Sequence, residues 1–198
     1  DVGALGLLYQ WGRKDPFLGS SSISGGIEAG STITWPSAVS SDSSTGTVDY
    51  VTSHPTTFIT RNDSNYDWYY TGSSSTDDTR WQSDKTIYDP CPAGWRVPDG
   101  GSSGVWNTAG FADTSFDSSN EGINFSISSP STTWYPVSGY RSNLDGALTN
   151  VDYAGYYWSV TPSDHAYSLF FNDRGTVYPT FSNSRANGSS ARCPQEPE

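Results

Sequence analysis

Apolar residues in the C-terminal third of this chain fall into brief alternating runs, each bounded by turn-forming residues. The runs cover residues 134–140, 156–160, 166–171, 176–179 and 190–193. Alternation over roughly four to eight residues is typical of half-buried β-strands, whereas a helix needs about ten or more residues. The sequence "NDRG" at 172–175 has the composition of a hairpin turn. These runs therefore predict a set of short strands.

The rest of the chain predicts long loops with few regular elements. Residues 5–11 indicate a strand, because Pro16 prevents a longer element. Short pieces rich in β-branched and aromatic residues predict brief strands at 32–35, 48–51 and 58–60. The best helix candidate is 102–113, "SSGVWNTAGFAD", which has an imperfect apolar face.

The prolines and turn-forming residues of the chain indicate the fold class. Pro90, Pro92 and Pro98 exclude a regular helix around them and predict turns pinned by Trp95. Little helix, many short strands and long loops together indicate an α+β fold, and we expect a small twisted antiparallel sheet with one or two short helices. No composition break or charged linker divides the chain, so we expect a single domain over residues 1–198.

Composition limits what can fill the core and what can bind. Hydrophobic residues make up 33% of the chain and aromatic residues 15%, so burial must depend on large rings. The net charge of −11 would repel phosphate backbones, which excludes nucleic acid as a partner. No run of about eighteen apolar residues is present, so we expect no direct membrane insertion by this segment. We expect an N-terminal export or anchoring segment to precede Asp1 in the full protein.

The two cysteines, Cys91 and Cys193, leave three states open: a disulfide, two buried thiols, or one of each. We favour a disulfide, because an acidic, Ser/Thr-rich and aromatic-rich chain without Met looks like an exported protein. In the chain-entropy model, closing a loop of about a hundred residues contributes on the order of 4 kcal/mol.

Five segments, in order along the chain, resemble a known family. They are "LYQWGRKDPF", "YDPCPAGWRVPD", "WYPVSGYR", "YYWSVTP" and a closing pattern that runs from "AYSLFF" to "RANGSSARC". Over residues 5–193 the chain is similar to exported Bacteroidetes proteins with a Fibrobacter-type major paralogous domain. The resemblance implies a C-type lectin-like fold, in which a small sheet carries a loop-rich half that presents the binding surface.

The C-terminal region, about residues 158–193, resembles more narrowly the variable regions of proteins diversified by diversity-generating retroelements. In such proteins a reverse transcriptase copies a template with errors at adenines, so Asn-type codons become many alternatives while other codons stay fixed. Lys, Glu, Gln, Met and Trp cannot arise in this way, and residues 160–192 contain none of them.

This resemblance divides the region into fixed and variable positions. The framework positions, where inward packing or backbone shape fixes the residue, are Trp158, Leu169, Phe171, Val177, Pro179, Arg185, Gly188 and Arg192. Because side chains alternate across a strand, the residues between them are expected to point outward and contact a ligand. These candidate ligand-binding residues are Asp164, His165, Ser168, Phe170, Asp173, Arg174, Thr176, Tyr178, Thr180, Phe181, Ser182, Ser184 and Ser189. The mixture is typical of an antibody combining site, with aromatic and Arg anchors among adaptable hydrogen-bonding groups.

Other kinds of site are weaker in the sequence. His54 and His165 have no Ser or Cys in a recognisable nucleophile setting beside them. "VWNTAG" lacks the Asp of the calcium-dependent sugar site of C-type lectins, and "DSSNEG" at 117–122 lacks the bidentate Glu of an EF-hand, so we interpret it as a solvated turn. Kinship with formylglycine-generating enzymes raises an oxidase alternative, but a disulfide explains both cysteines more simply. We expect no enzyme activity, no metal and no cofactor.

The sequence therefore predicts an extracellular binder displayed on the cell surface, anchored as a lipoprotein through the preceding segment. Its C-terminal region would be a diversified surface for a protein or glycan ligand on a cell surface. Two alternatives are a fixed-specificity adhesive or structural subunit of a surface appendage, such as a pilus tip, and a phage receptor-binding tip of the same fold. An exposed edge strand able to pair with another subunit would favour assembly.

Overall fold

The computed structural model describes residues 6–19, 38–108, 116–128 and 131–196. These residues form a mixed α+β fold that is mostly sheet, in agreement with the predicted class. The helices are α1 (Val48–Ser53) and α2 (Val105–Thr108). The strands are β1 (Leu7–Gln10), β2 (Phe17–Leu18), β3 (Val39–Ser40), β4 (Ile59–Thr60), β5 (Phe116–Asp117), β6 (Gly122–Ser128), β7 (Ser131–Pro136), β8 (Tyr140–Arg141), β9 (Leu148–Thr149), β10 (Ala154–Pro162), β11 (Ala166–Asn172), β12 (Val177–Asn183) and β13 (Gly188–Ser190). In this part of the chain no helix has the length and apolar character of a membrane span.

The largest sheet has eight strands, six of which lie in the order β12-β11-β10-β13-β1-β2. Strand β8 pairs with β13 and with β9. Neighbouring strands are antiparallel except β10 and β13, which run parallel where Tyr157 faces Ser190. The sheet is thus larger than expected and not wholly antiparallel, because residues 184–187 carry the chain from the edge strand β12 back to the middle of the sheet.

The predicted C-terminal strands are present. Residues 156–160, 166–171 and 176–179 overlap β10, β11 and β12, with the hairpin turn between the last two where "NDRG" predicted it. The run 134–140 is divided between β7 and β8 at Gly139, whose φ is +63° and whose Cβ, if present, would lie 2.3 Å from a backbone oxygen. The last run is displaced, since β13 ends at Ser190 and the chain then turns towards the disulfide.

In the first half of the chain the predictions have mixed outcomes. Strand β1 and strand β4 confirm the predicted strands at 5–11 and 58–60, and α2 confirms a short helix within 102–113. The strand predicted at 48–51 is wrong, since α1 occupies this position. The Thr47 side chain caps α1 by accepting a hydrogen bond from the Tyr50 N–H, which outweighs the strand preference of β-branched residues. The strand predicted at 32–35 lies outside the described residues.

A three-stranded sheet of β5, β6 and β7 packs against one face of the main sheet. Ile123, Phe125 and Tyr135 from this sheet form a core with side chains of β10 and β11. On the β10 and β11 side the core includes Tyr157 and Leu169, both almost fully buried. These packed residues leave the opposite face of β10 and β11 free to carry other side chains.

Tryptophan rings fill much of the remaining core, as the composition predicted. The fully buried ones are Trp11, Trp68, Trp81, Trp106 and Trp158. Trp158 of β10 and Trp11, which follows β1, each hydrogen-bond to the other segment. The Trp11 indole N–H donates to the Ser159 carbonyl at 2.9 Å, and the Trp158 indole N–H donates to the Tyr9 carbonyl at 2.7 Å. A buried indole therefore keeps its hydrogen bond while contributing a large apolar surface.

A disulfide joins Cys91 to Cys193, as expected, and ties the proline-rich loop to the chain after β13. Trp95 does not pin this loop as predicted, because its side chain is 43% exposed. The carboxylate of Asp89 holds the loop instead, by accepting hydrogen bonds from the N–H groups of Cys91 at 2.8 Å and Val97 at 3.0 Å. The backbone of Gly94 and Arg96 also pairs with the segment after the disulfide, through hydrogen bonds to Glu196 and Pro194 at 2.9 and 3.2 Å. Hydrogen bonds and one covalent link thus fix a segment that has no helix or strand.

Candidate ligand-binding surface

Five aromatic side chains form a continuous cluster on the face of the main sheet opposite the three-stranded sheet. We call this cluster the aromatic face; it consists of Tyr140, Tyr156, Phe170, Tyr178 and Phe181. The Phe170 ring is central, with its centroid 5.1 Å from Tyr156, 5.9 Å from Tyr178 and 5.2 Å from Phe181. Tyr140 extends the cluster, 4.8 Å from Tyr156. Four strands thus contribute rings to one surface.

Strand register brings these rings together. Tyr156 faces Phe170 across β10 and β11, and Phe170 faces Tyr178 across β11 and β12. Further along, Ser168 faces Phe181, so between these two pairs the single residue Leu169 of β11 is opposed by Pro179 and Thr180 of β12. This β-bulge adds one residue between Tyr178 and Phe181. Strict alternation would place these two rings on opposite faces, and the bulge places both on the same one.

Exposure of the aromatic face is graded. Tyr178, on the edge strand, is 54% exposed, whereas Phe170 and Phe181 are half-buried and Tyr156 is 8% exposed. The inner rings therefore hold the Tyr178 ring in place, so this side chain loses little conformational entropy when it contacts a ligand. Such an arrangement is suited to stacking on an apolar or ring-shaped group.

A polar group adjoins the β11–β12 end that lies away from the hairpin turn. The Ser163 and Ser182 hydroxyls lie 3.0 Å apart, and the rings of Tyr66 and His165 have centroids 5.3 Å apart. Ser184 donates through Oγ to the Tyr66 carbonyl at 2.7 Å. Two of the candidate residues, His165 and Ser184, therefore contact a loop from the first half of the chain.

Sequence reasoning missed the contribution of that loop. The guanidinium of Arg61 lies 4.4 Å from the centroid of the Tyr66 ring, and Tyr66 is 38% exposed with φ at +56°. A left-handed backbone at a large aromatic residue is unusual and is concentrated at functional positions. The sequence signal was limited to the aromatic-rich "NYDWYY", which has no spacing relation to His165.

The surroundings of His165 favour its neutral form. Its pKa is lowered, chiefly by burial and also by the charge of Arg185, while Asp164 and Asp67 act in the opposite direction. The Nδ1 atom is buried and has no hydrogen-bond partner, which an imidazolium would require. Arg185 donates to the His165 carbonyl at 2.6 Å and thereby fixes the backbone at this end of β11.

Arg185 is the clearest framework residue of the region. It is fully buried, its guanidinium lies 4.2 Å from the Trp11 ring, and it also donates to the Asp77 carbonyl and the Asp78 carboxylate at 3.0 and 2.5 Å. Trp158, Leu169 and Phe171 are likewise fully buried, so these framework residues point inward as expected. Half-buried framework residues are Val177, Pro179 and Arg192.

At the other end of the surface lies the hairpin turn. The Asn172 side chain accepts hydrogen bonds from the N–H groups of Arg174 and Thr176, both at 3.1 Å, and Gly175 adopts a φ of +79°. Asp173 and Arg174 are exposed at the tip. An Asx-type turn thus holds the backbone while both charged side chains face solvent, with the Arg174 guanidinium 6.0 Å from the Tyr153 ring.

Two candidate residues do not point outward. Ser168 and Ser189 are both fully buried, so the expectation that they contact a ligand is wrong. Ser168 faces Trp158 in the middle of the sheet, and Ser189 lies in β13, which has β1 and β10 as neighbours. The Ser189 hydroxyl accepts a hydrogen bond from the Asn183 side chain at 3.2 Å. Both serines are therefore part of the packed interior of the protein.

The other eleven candidate residues are exposed or half-buried. They are Asp164, His165, Phe170, Asp173, Arg174, Thr176, Tyr178, Thr180, Phe181, Ser182 and Ser184. Together they extend from the hairpin turn, across the aromatic face, to the polar group beside Tyr66. One connected surface therefore carries most of the residues that the resemblance implied.

Elsewhere in the described part of the chain, no group of three or more His, Cys, Asp and Glu side chains is placed to hold a metal ion. The oxygen-rich segment at 117–122 is a solvated turn, as interpreted from the sequence. Asp117 accepts hydrogen bonds there from the N–H groups of Ser119 and Asn120, at 2.8 and 3.2 Å.

Three comparisons with known proteins found no similar protein. A scan against models of protein families found no match. Searches of curated proteins and of solved structures likewise found none.

Proposed function

We propose that this protein is an exported, surface-displayed binder of the C-type lectin-like fold whose region 158–193 is a diversified surface for a protein or glycan ligand. The observation that carries the proposal is the aromatic face. It consists of five packed rings from four strands, and Tyr178 on the edge strand is the most exposed of them. The disulfide between Cys91 and Cys193 is consistent with an oxidising compartment outside the cytoplasm.

The chemistry of the surface favours binding by contact alone. Tyr and Phe are frequent energetic anchors of interfaces, and a polar rim excludes water around them. Here Tyr178 and Phe170 supply the anchor, while Thr180 and Ser182, both exposed, supply short hydroxyl side chains beside it. The surface thus has an apolar centre and an adaptable rim.

Rigidity of the scaffold supports exchange of the outward side chains. Inward residues such as Trp158 and Leu169 are fully buried, and Arg185 is held by three hydrogen bonds. Side chains that protrude from a backbone held in this way can change without loss of the core. A prearranged backbone also reduces the entropy lost when a ligand binds.

The edge of the sheet supports this proposal over assembly by strand addition. Strand β12 is an edge strand, but it contains both Pro179, which has no N–H to donate, and the β-bulge next to it. Prolines and bulges are the means by which edge strands are prevented from pairing with other chains. A subunit built to add strands at this edge would need a more regular one.

The proposal can be tested by screening the protein against immobilised glycans and purified bacterial surface-protein ectodomains. We expect at least one ligand whose affinity falls by about tenfold or more in Tyr178→Ser and in Thr180→Arg, because both positions lie on the exposed surface. Trp95→Ser is the matched control, since Trp95 is an exposed aromatic residue outside this surface. Ligands lost in the control but retained by both other variants would contradict the proposal.

A further inference from the structure

A cavity of about 360 Å³ lies apart from the aromatic face, among the turn after β1, helix α1 and the loop at Ile87 and Tyr88. Its apolar lining includes Val48 and Val51 of α1, the edge of the buried Trp68 and the exposed Ile87. Small-molecule sites are typically concave, largely apolar and about 300 to 1,000 Å³ in volume. The cavity has the size and lining of such a site, and the ligand-binding surface described above does not include it.

The charges at this cavity are opposite to the average of the chain. Arg13, Lys14 and Asp15 all line it. Arg13 and Asp15 form an ion pair at 3.2 Å and so offset each other, whereas Lys14 is exposed and, in the part of the chain that the structure describes, has no hydrogen-bond or ion-pair partner. Lys85, the second lysine of the chain, is bound to Asp89 at 2.7 Å. A protein with net charge −11 therefore presents one unpaired ammonium group beside an apolar cavity.

The mouth of the cavity also carries an uncovered apolar side chain. Ile87 is 78% exposed, the largest exposure among the large apolar side chains of the described residues. Tyr88, which follows it, is half-buried and packs against the core that contains Trp11 and Trp81. A ligand that entered beside Ile87 would cover this apolar surface and gain from its removal from water.

We propose that this cavity binds a small amphipathic anion: an apolar, ring-containing body with one carboxylate or sulfonate. The body lies against Val48, Val51 and Ile87, and the anionic group is bound by the Lys14 ammonium at the mouth. An inorganic anion alone would leave the apolar wall unused, and a cationic ligand would meet the Lys14 ammonium, because the Asp15 carboxylate is already paired with Arg13. This inference is independent of the function proposed for the aromatic face.

A pair of probes that differ only in the anionic group tests the inference. 1-Anilinonaphthalene-8-sulfonate carries a sulfonate on the ring system of N-phenyl-1-naphthylamine, and both fluoresce when they leave water. In fluorescence titrations of the intact protein, we expect the sulfonate to bind about tenfold more tightly than the uncharged probe. Lys14→Gln should weaken sulfonate binding about five- to tenfold and leave the uncharged probe unchanged, as expected for loss of one charge-assisted contact.

Two further variants test the location of the probe. Thr52→Trp places a large ring in the cavity from an exposed position of α1 and should abolish binding of both probes. Ile87→Ser, at a largely exposed position, should weaken both about threefold without affecting the fold. Unchanged near-ultraviolet circular dichroism shows that each variant is folded.

The aromatic face is the competing location for such probes, so Tyr178→Ser is the matched control. We expect this variant to bind both probes as the unmodified protein does. If Tyr178→Ser abolishes sulfonate binding while Thr52→Trp and Lys14→Gln preserve it, the probe binds the aromatic face and the inference is overturned. It is also overturned if the uncharged probe binds as tightly as the sulfonate.

Discussion

Phe170 on β11 and Tyr178 on β12 are direct cross-strand partners, and their rings stack with centroids 5.9 Å apart and planes inclined by 19°. One partner is half-buried and contacts two further rings, while the other is more than half exposed on the edge strand. The pair joins the interior of the sheet to the surface that we propose binds a ligand. The two residues should therefore respond differently to truncation.

Phe170→Ala should lower the free energy of unfolding by about 2 kcal/mol, because it removes ring contacts with Tyr156, Tyr178 and Phe181 from a half-buried site. Tyr178→Ala should lower it by no more than about 1 kcal/mol, since Tyr178 is 54% exposed and loses mainly its stacking on Phe170. Urea unfolding followed by tryptophan fluorescence measures both. Equal losses in the two variants would show that Tyr178 belongs to the core.

Buried and exposed positions of the region should differ sharply in the side chains that they accept. Ser168→Tyr should destabilise by about 3 kcal/mol or more, because the hydroxyl of Ser168 is replaced by a ring in a fully buried site. Thr180→Tyr should stay within about 0.5 kcal/mol, as Thr180 is exposed on the bulged edge strand. Thermal unfolding compares the variants. If the Ser168→Tyr variant is as stable as the unmodified protein, this position is accessible and belongs with the candidate ligand-binding residues.

The buried pair of Asp67 and Arg80 should matter more to stability than an exposed pair of the same charges. The Asp67 carboxylate accepts from Arg80 at 2.6 Å, both side chains are almost fully buried, and the guanidinium lies 4.6 Å from the Trp68 ring. Asp67→Asn leaves the buried guanidinium with only the more distant Asp77 carboxylate, at 4.0 Å, and should cost about 3 kcal/mol in chemical denaturation.

The matched control for that variant is Asp63→Asn. Asp63 lies 3.6 Å from Arg61 and its side chain is 95% exposed, so removal of its charge should leave the unfolding midpoint nearly unchanged. A similar midpoint for both variants would mean that solvent screens the Asp67 pair despite its burial.

His165 should make stability depend on pH in the range just below neutrality. Its pKa in the folded protein is lowered from 6.5, chiefly by burial, so the unfolded chain takes up the proton first as pH falls. Protonation then favours unfolding, and stability is lost from about pH 6.5 downward until the folded-state pKa is passed.

Unfolding free energies at pH 7.5 and pH 5 should therefore differ more in the unmodified protein than in His165→Gln. Carboxylates with lowered pKa values, such as Asp77, titrate at lower pH and remain in both proteins. Identical pH dependence in the two proteins would remove His165 as the cause.

The strands β10, β11 and β12 could be predicted from their short apolar runs, and alternation correctly separates the buried Leu169 and Phe171 of β11 from the half-buried Phe170 between them. Strand β10 is buried on both faces over most of its length, which alternation does not predict. The disulfide and the ring-filled core also followed from composition. Ser168 shares a face with Phe170, yet it is fully buried between its cross-strand neighbours Trp158 and Phe181, and alternation alone could not predict that burial. Ser189 lies in a strand in the middle of the sheet, a placement that depends on the tertiary fold.

The full surface could not be predicted for two further reasons. A bulge changes the alternation between Tyr178 and Phe181, and no residue in the sequence marks it except Pro179. Tyr66 contacts His165 from a distant part of the chain, in a loop that has no periodic pattern, and Arg61 packs on the Tyr66 ring. Long-range contacts of this kind depend on the tertiary fold and not on local spacing.

The DNA around the gene tests the central claim most directly. We predict, within a few kilobases, a reverse transcriptase gene and a near-copy of the segment that encodes residues 158–193, mismatched only at template adenines. The mismatches should affect codons for exposed positions such as Tyr178 and Thr180 and should spare those for the buried Trp158, Leu169 and Arg185. Absence of both sequences, with variation between isolates scattered evenly over the chain, would contradict a diversified binding surface.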